Sequence, residues 1–155
     1  ILRTSWLMGI TGKNFALTIL NLIKTNKSLR VVSDQYSSPT STKTLSNACW
    51  ELLKQYEIKI TKEKKLPHIF HWSDSGIASW YDVAVAIQEI GLSNNLIKNY
   101  SEIFPISSSE FPRPAKRPTF SALDCNSTSK FIGIKQIHWR KALEDSLKRI
   151  KSNQN

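Results

Sequence analysis

Apolar residues recur along this chain at two spacings, one near 3.6 positions and one of two, in stretches that alternate. Phe15, Ile19, Leu22 and Ile23 predict an amphipathic helix over Asn14 to Thr25. Leu45, Cys49, Leu52, Leu53 and Tyr56 share one face of a second helix, for which Pro39, Thr40 and Ser41 form the start. Trp80, Val83, Ala84, Ile87 and Ile90 mark a third, with Ser79 as N-cap, Asp82 closing a short capping box, and Gly91 at its end. A turn of helix is expected over 127–131, and a last helix from Trp139 to Ile150 carries Ala142, Leu143, Leu147 and Ile150 on one side. Extended segments are expected at Ile1 to Trp6, Leu29 to Ser33, His68 to Trp72, 103–106 and 120–123. Serines and prolines over 107–118 rule out a regular element there.

Strands alternating with helices give an α/β chain. The strands are few, and two of them have almost no polar positions, which suits a sheet covered on both sides. The sequence opens at Ile1, inside a strand with no preceding cap. We therefore expect residues 1–8 and 68–73 to complete a sheet whose other strands lie upstream, with 1–151 as one structural portion and 152–155 as a frayed tail.

Charge changes this picture little. The formal net charge is +10, which raises the prior for anionic partners. The densest cationic run, 59–65, has no interleaved aromatic residue, so a solvated insertion is expected and no nucleic-acid surface. No apolar run reaches the length of a membrane span, and no secretory signal is visible. With Cys49 read as a core thiol, the expectation is a reduced, cytoplasmic protein with no membrane partner. His68 and His71, three apart on a strand, point to opposite faces, and His138 is remote, so no metal site is expected from them.

Three ordered segments carry a resemblance. They are Arg3-Thr4-Ser5-Trp6 with Gly12-Lys13-Asn14-Phe15; Leu29-Arg30-Val31-Val32 with Asp34-Gln35 and Ser38-Pro39-Thr40; and Ser109-Glu110-Phe111-Pro112 with Pro114, Arg117-Pro118 and Ser121-Ala122-Leu123-Asp124-Cys125. Phe70-His71, Ser79-Trp80-Tyr81 and Trp139-Arg140-Lys141-Ala142-Leu143 fall between and after them. Together they resemble the C-terminal, substrate-binding half of the dTDP-4-dehydrorhamnose reductase family, which are extended short-chain dehydrogenases. The resemblance implies the last strands of a Rossmann-like sheet plus a small substrate-binding lobe. It implies NADPH, held mainly by an N-terminal half, reducing the 4-keto group of a dTDP-linked 6-deoxy sugar in dTDP-rhamnose biosynthesis. A homodimer and a magnesium ion stay open; Lys43 stands near a position where some members have an acidic residue that supports the metal. The family's Tyr-x-x-x-Lys and glycine-rich loop are absent, since none of Tyr36, Tyr56, Tyr81 and Tyr100 has a lysine four residues on. This chain alone is therefore expected to be inactive, with no catalytic residue of its own. A non-catalytic binding or regulatory subunit, and a reductase or epimerase of another nucleotide sugar, remain alternatives.

The resemblance implies a substrate role for Trp6, whose indole can stack on the apolar face of a deoxy sugar, although a core tryptophan fits the pattern equally. Arg117, stiffened by Pro114 and Pro118, suits a diphosphate, or else pairs with Glu110 or Asp124. Lys116 would contribute at longer range, while Arg113 is expected in solvent. Asn14 could reach the nucleotide or simply cap its helix. Gln35 and Thr40 would shape the substrate loop, and Ser5 would face the cofactor. Asp34 pairs with Arg30 or caps a turn. Arg3, among apolar neighbours, is expected to be buried.

Overall fold

The computed structural model describes residues 1–60 and 66–150, and the backbone of 151 and 152. The elements run β1 (Leu2–Arg3), β2 (Leu7–Met8), α1 (Phe15–Thr25), β3 (Ser28–Val32), β4 (Tyr36–Ser37), β5 (Thr40–Ser41), α2 (Thr42–Ile60), β6 (Phe70–His71), β7 (Ala78–Ser79), α3 (Trp80–Ser93), β8 (Glu102–Ile106), α4 (Asn126–Ile132) and α5 (Trp139–Ser152). The α/β expectation holds. The strands pair two by two: β1 with β6, β2 with β5 and β3 with β8 are parallel, and β4 with β7 is antiparallel. The longest pair aligns Ser28 with Glu102 through Val32 with Ile106.

The helices form close to where the period predicts them because each has a face to bury, but in α2 only Ala48 is fully buried, Cys49 is half-buried and not a core thiol, and Leu53 is exposed. Ala16, Ile19, Leu20 and Ile23 of α1 meet Val83, Ile87 and Ile90 of α3 in the main core, and Leu143 and Leu147 of α5 close its other side. α3 lies between α1 and α5 and against β3 and β8, so Ala84, Ala86 and even Gln88 are buried as well. The Gln88 side-chain Oε1 accepts the Ser101 N–H at 2.8 Å, which offsets part of the cost of its burial. A smaller core gathers Ala48, Trp72 and Ile132 under α2 and α4.

Four further expectations are corrected. Gly91 does not end α3, which continues to Ser93. A Cβ there would sit 3.1 Å from Ile97 and 3.3 Å from Leu20, so this glycine serves close packing; Asn95, at φ 55°, makes the turn. The opening strand is split, because Trp6 takes φ 41° and divides β1 from β2. Arg3 is exposed, since its strand has only β6 beside it among the described residues. Over 107–118 a single 3-10 turn, Ser108–Glu110, interrupts the irregular loop. Of the expected lysine-rich insertion, residues 59 and 60 still belong to α2, with the Lys59 ammonium 4.2 Å from the Phe131 ring centroid, and 61–65 lie outside the described residues, as does the tail at 153–155. No helix among the described residues is long and apolar enough to cross a membrane.

Candidate functional site

The left-handed turn at Trp6 swings its indole away from the strand line and onto the first residue of α3. Trp6 and Trp80 stack with centroids 3.5 Å apart and planes 12° from parallel, and Phe15, first in α1, tilts against Trp80 at 4.6 Å. Trp80 is held in turn by its helix start. The Ser79 side chain accepts the Asp82 N–H while the Asp82 carboxylate accepts from Ser79, as the spacing predicts.

A hydrogen-bonded chain leads outward from this stack. Trp80 Nε1 donates to Gln35 Oε1 at 3.2 Å, and Gln35 Nε2 donates to Ser108 Oγ at 2.8 Å. Ser108 donates to Asp34 from both its hydroxyl, at 2.5 Å, and its N–H, at 2.9 Å. The Ser108 hydroxyl first, and then its N–H, hold the Asp34 carboxyl below its ordinary range. Asp34 thus caps a turn far away in sequence. Its alternative partner, Arg30, pairs instead with Glu110 at 2.6 Å.

This chain of bonds fastens the 107–117 loop over α1 and β3 and leaves two adjoining clefts. One, of about 370 Å³, has Phe15, Trp80, Gln35, Arg30, Phe111 and Arg117 in its walls. The other, of about 450 Å³, is bounded by Asp34, Ser108, Phe111, Lys116 and Arg117. Gln35, Phe111, Arg113 and Arg117 border both. Arg117 makes no ion pair among the described residues, so its expected pairing with Glu110 or Asp124 is not formed; Arg30 has taken Glu110. Arg113 lies over the Phe111 ring at 4.4 Å and is exposed as expected. Aromatic faces beside unpaired guanidinium groups suit a flat or apolar ligand group joined to an anion.

The structure brings Gln35, Lys116 and Arg117 to these clefts, and Trp6 lines neither but stacks on Trp80, which lines the first. Asn14, Ser5 and Thr40 lie elsewhere. Asn14 caps α1: its Oδ1 accepts the Leu17 N–H and its Nδ2 donates to Gly9 and Thr11, so its amide is fully engaged. Ser5 Oγ donates to the Ser38 carbonyl at 2.7 Å. Thr40 is 1% exposed, and its backbone N–H donates to the Trp6 carbonyl at 3.1 Å. Sequence reasoning missed Phe15, Arg30, Phe111 and Trp80 as cleft residues. For Trp80 a signal existed, a large aromatic placed at the first position of a capped helix.

Thr40 shares a void of only about 10 Å³ with Asp74, a carboxylate buried beneath α5. The Ser41 N–H donates to its Oδ2 at 2.8 Å, and Oδ1 has no partner among the described residues. Burial is the largest influence and pushes the Asp74 pKa up. The native state then holds this proton at pH values where the unfolded chain has lost it, so this residue's contribution to stability falls as pH rises from the ordinary carboxylate range through the raised value. In Asp74→Asn that loss disappears. Unfolding free energies measured between pH 4 and 8 should show the variant gaining on the wild type as pH rises; parallel curves would refute the assignment. Among the described residues no cluster of three or more His, Cys, Asp or Glu side chains is placed to hold a metal, and Lys43 is exposed near the start of α2.

Comparison with known proteins places these features in context. The sequence profile described as the RmlD substrate binding domain matches residues 1–152. The spore coat polysaccharide biosynthesis protein SpsK of Bacillus subtilis is 39% identical over 95% of this chain and 46% of its own length. A dTDP-4-dehydrorhamnose reductase of Clostridium acetobutylicum superposes with a TM-score of 0.80 at 33% identity, over 97% of this chain and 48% of that one. The reductase of Bacillus anthracis, solved in complex with NADP, gives 0.76 at 31% identity, over 94% and 47%. The chain spans about half the length of the relatives it matches.

Proposed function

Because the chain belongs to the RmlD substrate binding domain family, we propose that it is the substrate-binding half of a cytoplasmic, NADPH-dependent reductase that converts dTDP-4-dehydro-L-rhamnose to dTDP-L-rhamnose. The observation that carries the reading is the pair of clefts in which Trp80 and Phe111 meet Arg30 and Arg117. Guanidinium groups are suited to a diphosphate, and a stacked indole to the apolar face of a 6-deoxy sugar or to thymine. The NADP in the Bacillus anthracis relative supports the choice of cofactor.

The residues of this chain do not by themselves fit that cofactor. They include no glycine-rich pyrophosphate loop, and the Ser5 hydroxyl is committed to Ser38. We assign to this chain the tasks of binding and orienting the sugar nucleotide, and to a further half like that of its relatives the hydride and the proton. β1 and β6, with Ile1 and Ile69 exposed beside them, would extend the sheet of that half.

The test is NADPH oxidation by the intact protein that carries this chain. Consumption with dTDP-4-dehydro-L-rhamnose is expected; a bound substrate that leaves NADPH unspent would point to a binding subunit instead. Within the same assay, Arg117→Ala should raise KM about 10–100-fold, the worth of a charged hydrogen-bonding group. Its melting temperature should stay unchanged, because Arg117 is exposed and makes no ion pair among the described residues. An unaltered KM would remove Arg117 from the site.

A further inference from the structure

Two arginines of the cleft stand in different states. Arg117 makes no ion pair among the described residues. Arg30 is already occupied, its Nη2 donating to Glu110 Oε1 at 2.6 Å. We propose that Glu110 is a built-in stand-in for a ligand phosphate, holding Arg30 until an incoming anion displaces it, and so sets how strongly the cleft selects a diphosphate over ligands with less charge. This rests on the reading of the cleft as a nucleotide-diphosphate site.

Three observations support it. First, the carboxylate is presented to Arg30 by backbone geometry. Glu110 closes the 3-10 turn, where its Oε2 accepts the Ser107 N–H at 3.1 Å, and Asp34 clamps the same turn through Ser108. When the Glu110 side chain rotates away it gives up the Ser107 bond, and the two bonds from Ser108 to Asp34 are left to hold the turn. Second, the ion pair is weak enough to exchange. The two side chains are 62% and 46% exposed, a setting in which such a pair contributes little net stability. A doubly charged phosphate group can out-compete a single carboxylate there. Third, the ion pair stands at the edge of the site, because Arg30 lines the first cleft and Phe111, the residue after Glu110, borders both.

The cost of freeing Arg30 falls on ligands that need a second cationic contact. A ligand satisfied by Arg117 alone does not pay it. Removing the negative charge at position 110 should then favour the diphosphate selectively.

The experiment is calorimetric titration of the intact protein with thymidine, thymidine 5′-monophosphate and thymidine 5′-diphosphate. Glu110→Gln should tighten the diphosphate roughly threefold to tenfold, as expected for release of one exposed ion pair and its repulsion. Thymidine affinity should not move. Adding Arg30→Gln to Glu110→Gln should abolish the gain, a coupling that a general change in folding would not produce. Unchanged or weaker diphosphate binding in a Glu110→Gln protein of normal melting temperature overturns the proposal while leaving the nucleotide site intact. Equal tightening of thymidine overturns it as well. A wild-type protein that binds none of the three overturns both this inference and the reading beneath it.

Discussion

Replacing Trp80 with alanine will destabilise the protein by about 3 kcal/mol and weaken nucleotide binding by about tenfold. Both effects follow from one side chain. Trp80 is stacked on Trp6, tilted against Phe15, hydrogen-bonded to Gln35, and part of the cleft wall. Alanine leaves a void that the capped start of α3 cannot collapse into, since Ser79 and Asp82 fix the backbone. For a chain of this size the loss lowers the melting temperature by roughly 6–12 °C. Trp80→Phe separates the contributions. It keeps an aromatic face for Trp6 and drops the N–H to Gln35, so its melting temperature should lie nearer the wild type while the 107–117 loop loosens. Hydrogen exchange at Ser108 would report that loosening. If Trp80→Ala were stable and bound nucleotide normally, the stack would be ornamental to the site.

Ile87→Ala should cost about 4 kcal/mol with no direct effect on ligand contacts. Ile87 is fully buried where α3 meets the main core, and none of the cleft walls contains it. Ile87→Val, one methylene shorter, should cost only about 1 kcal/mol. Denaturant unfolding of wild type and both variants in the same protein background checks the series. A loss below about 1 kcal/mol for the alanine variant would show that α3 is loosely packed, contrary to the full burial of Val83, Ala84, Ala86 and Ile87.

The sequence was most readable where one element decides its own shape. The apolar periods of α1, α3 and α5, the Asn14 cap and the Ser79–Asp82 box are local signals, and they appear as predicted save that in α1 Leu22 is exposed and Leu20 is buried. Gly91 misled because its small size answers to Ile97 and Leu20, which approach from another part of the fold. Trp6 misled for a similar reason: a left-handed tryptophan is held by its stack on Trp80, and no local pattern announces that. In the site, the basic and proline-bounded context of Arg117 was legible. The partners were not, because Arg30 reaches Glu110 and Asp34 reaches Ser108 across about half of the chain. Arg3 was read as buried from its apolar neighbours in sequence, yet among the described residues only β6 lies beside its strand.

The parallel pairing of β3 with β8 has a kinetic consequence. Residues 28–32 meet 102–106 only after α2, α3 and everything between them have been looped out. Closing so long a loop loses chain entropy before any strand contact compensates, which slows folding relative to a helical protein of equal length. The helices can form early from local contacts, while the arginine of β3 and the turn after β8 come together late. The cleft is therefore a late-assembled region, and a ligand that bridges Arg30 and the 107–117 loop would act as a clasp on the final step, slowing unfolding more than it speeds folding.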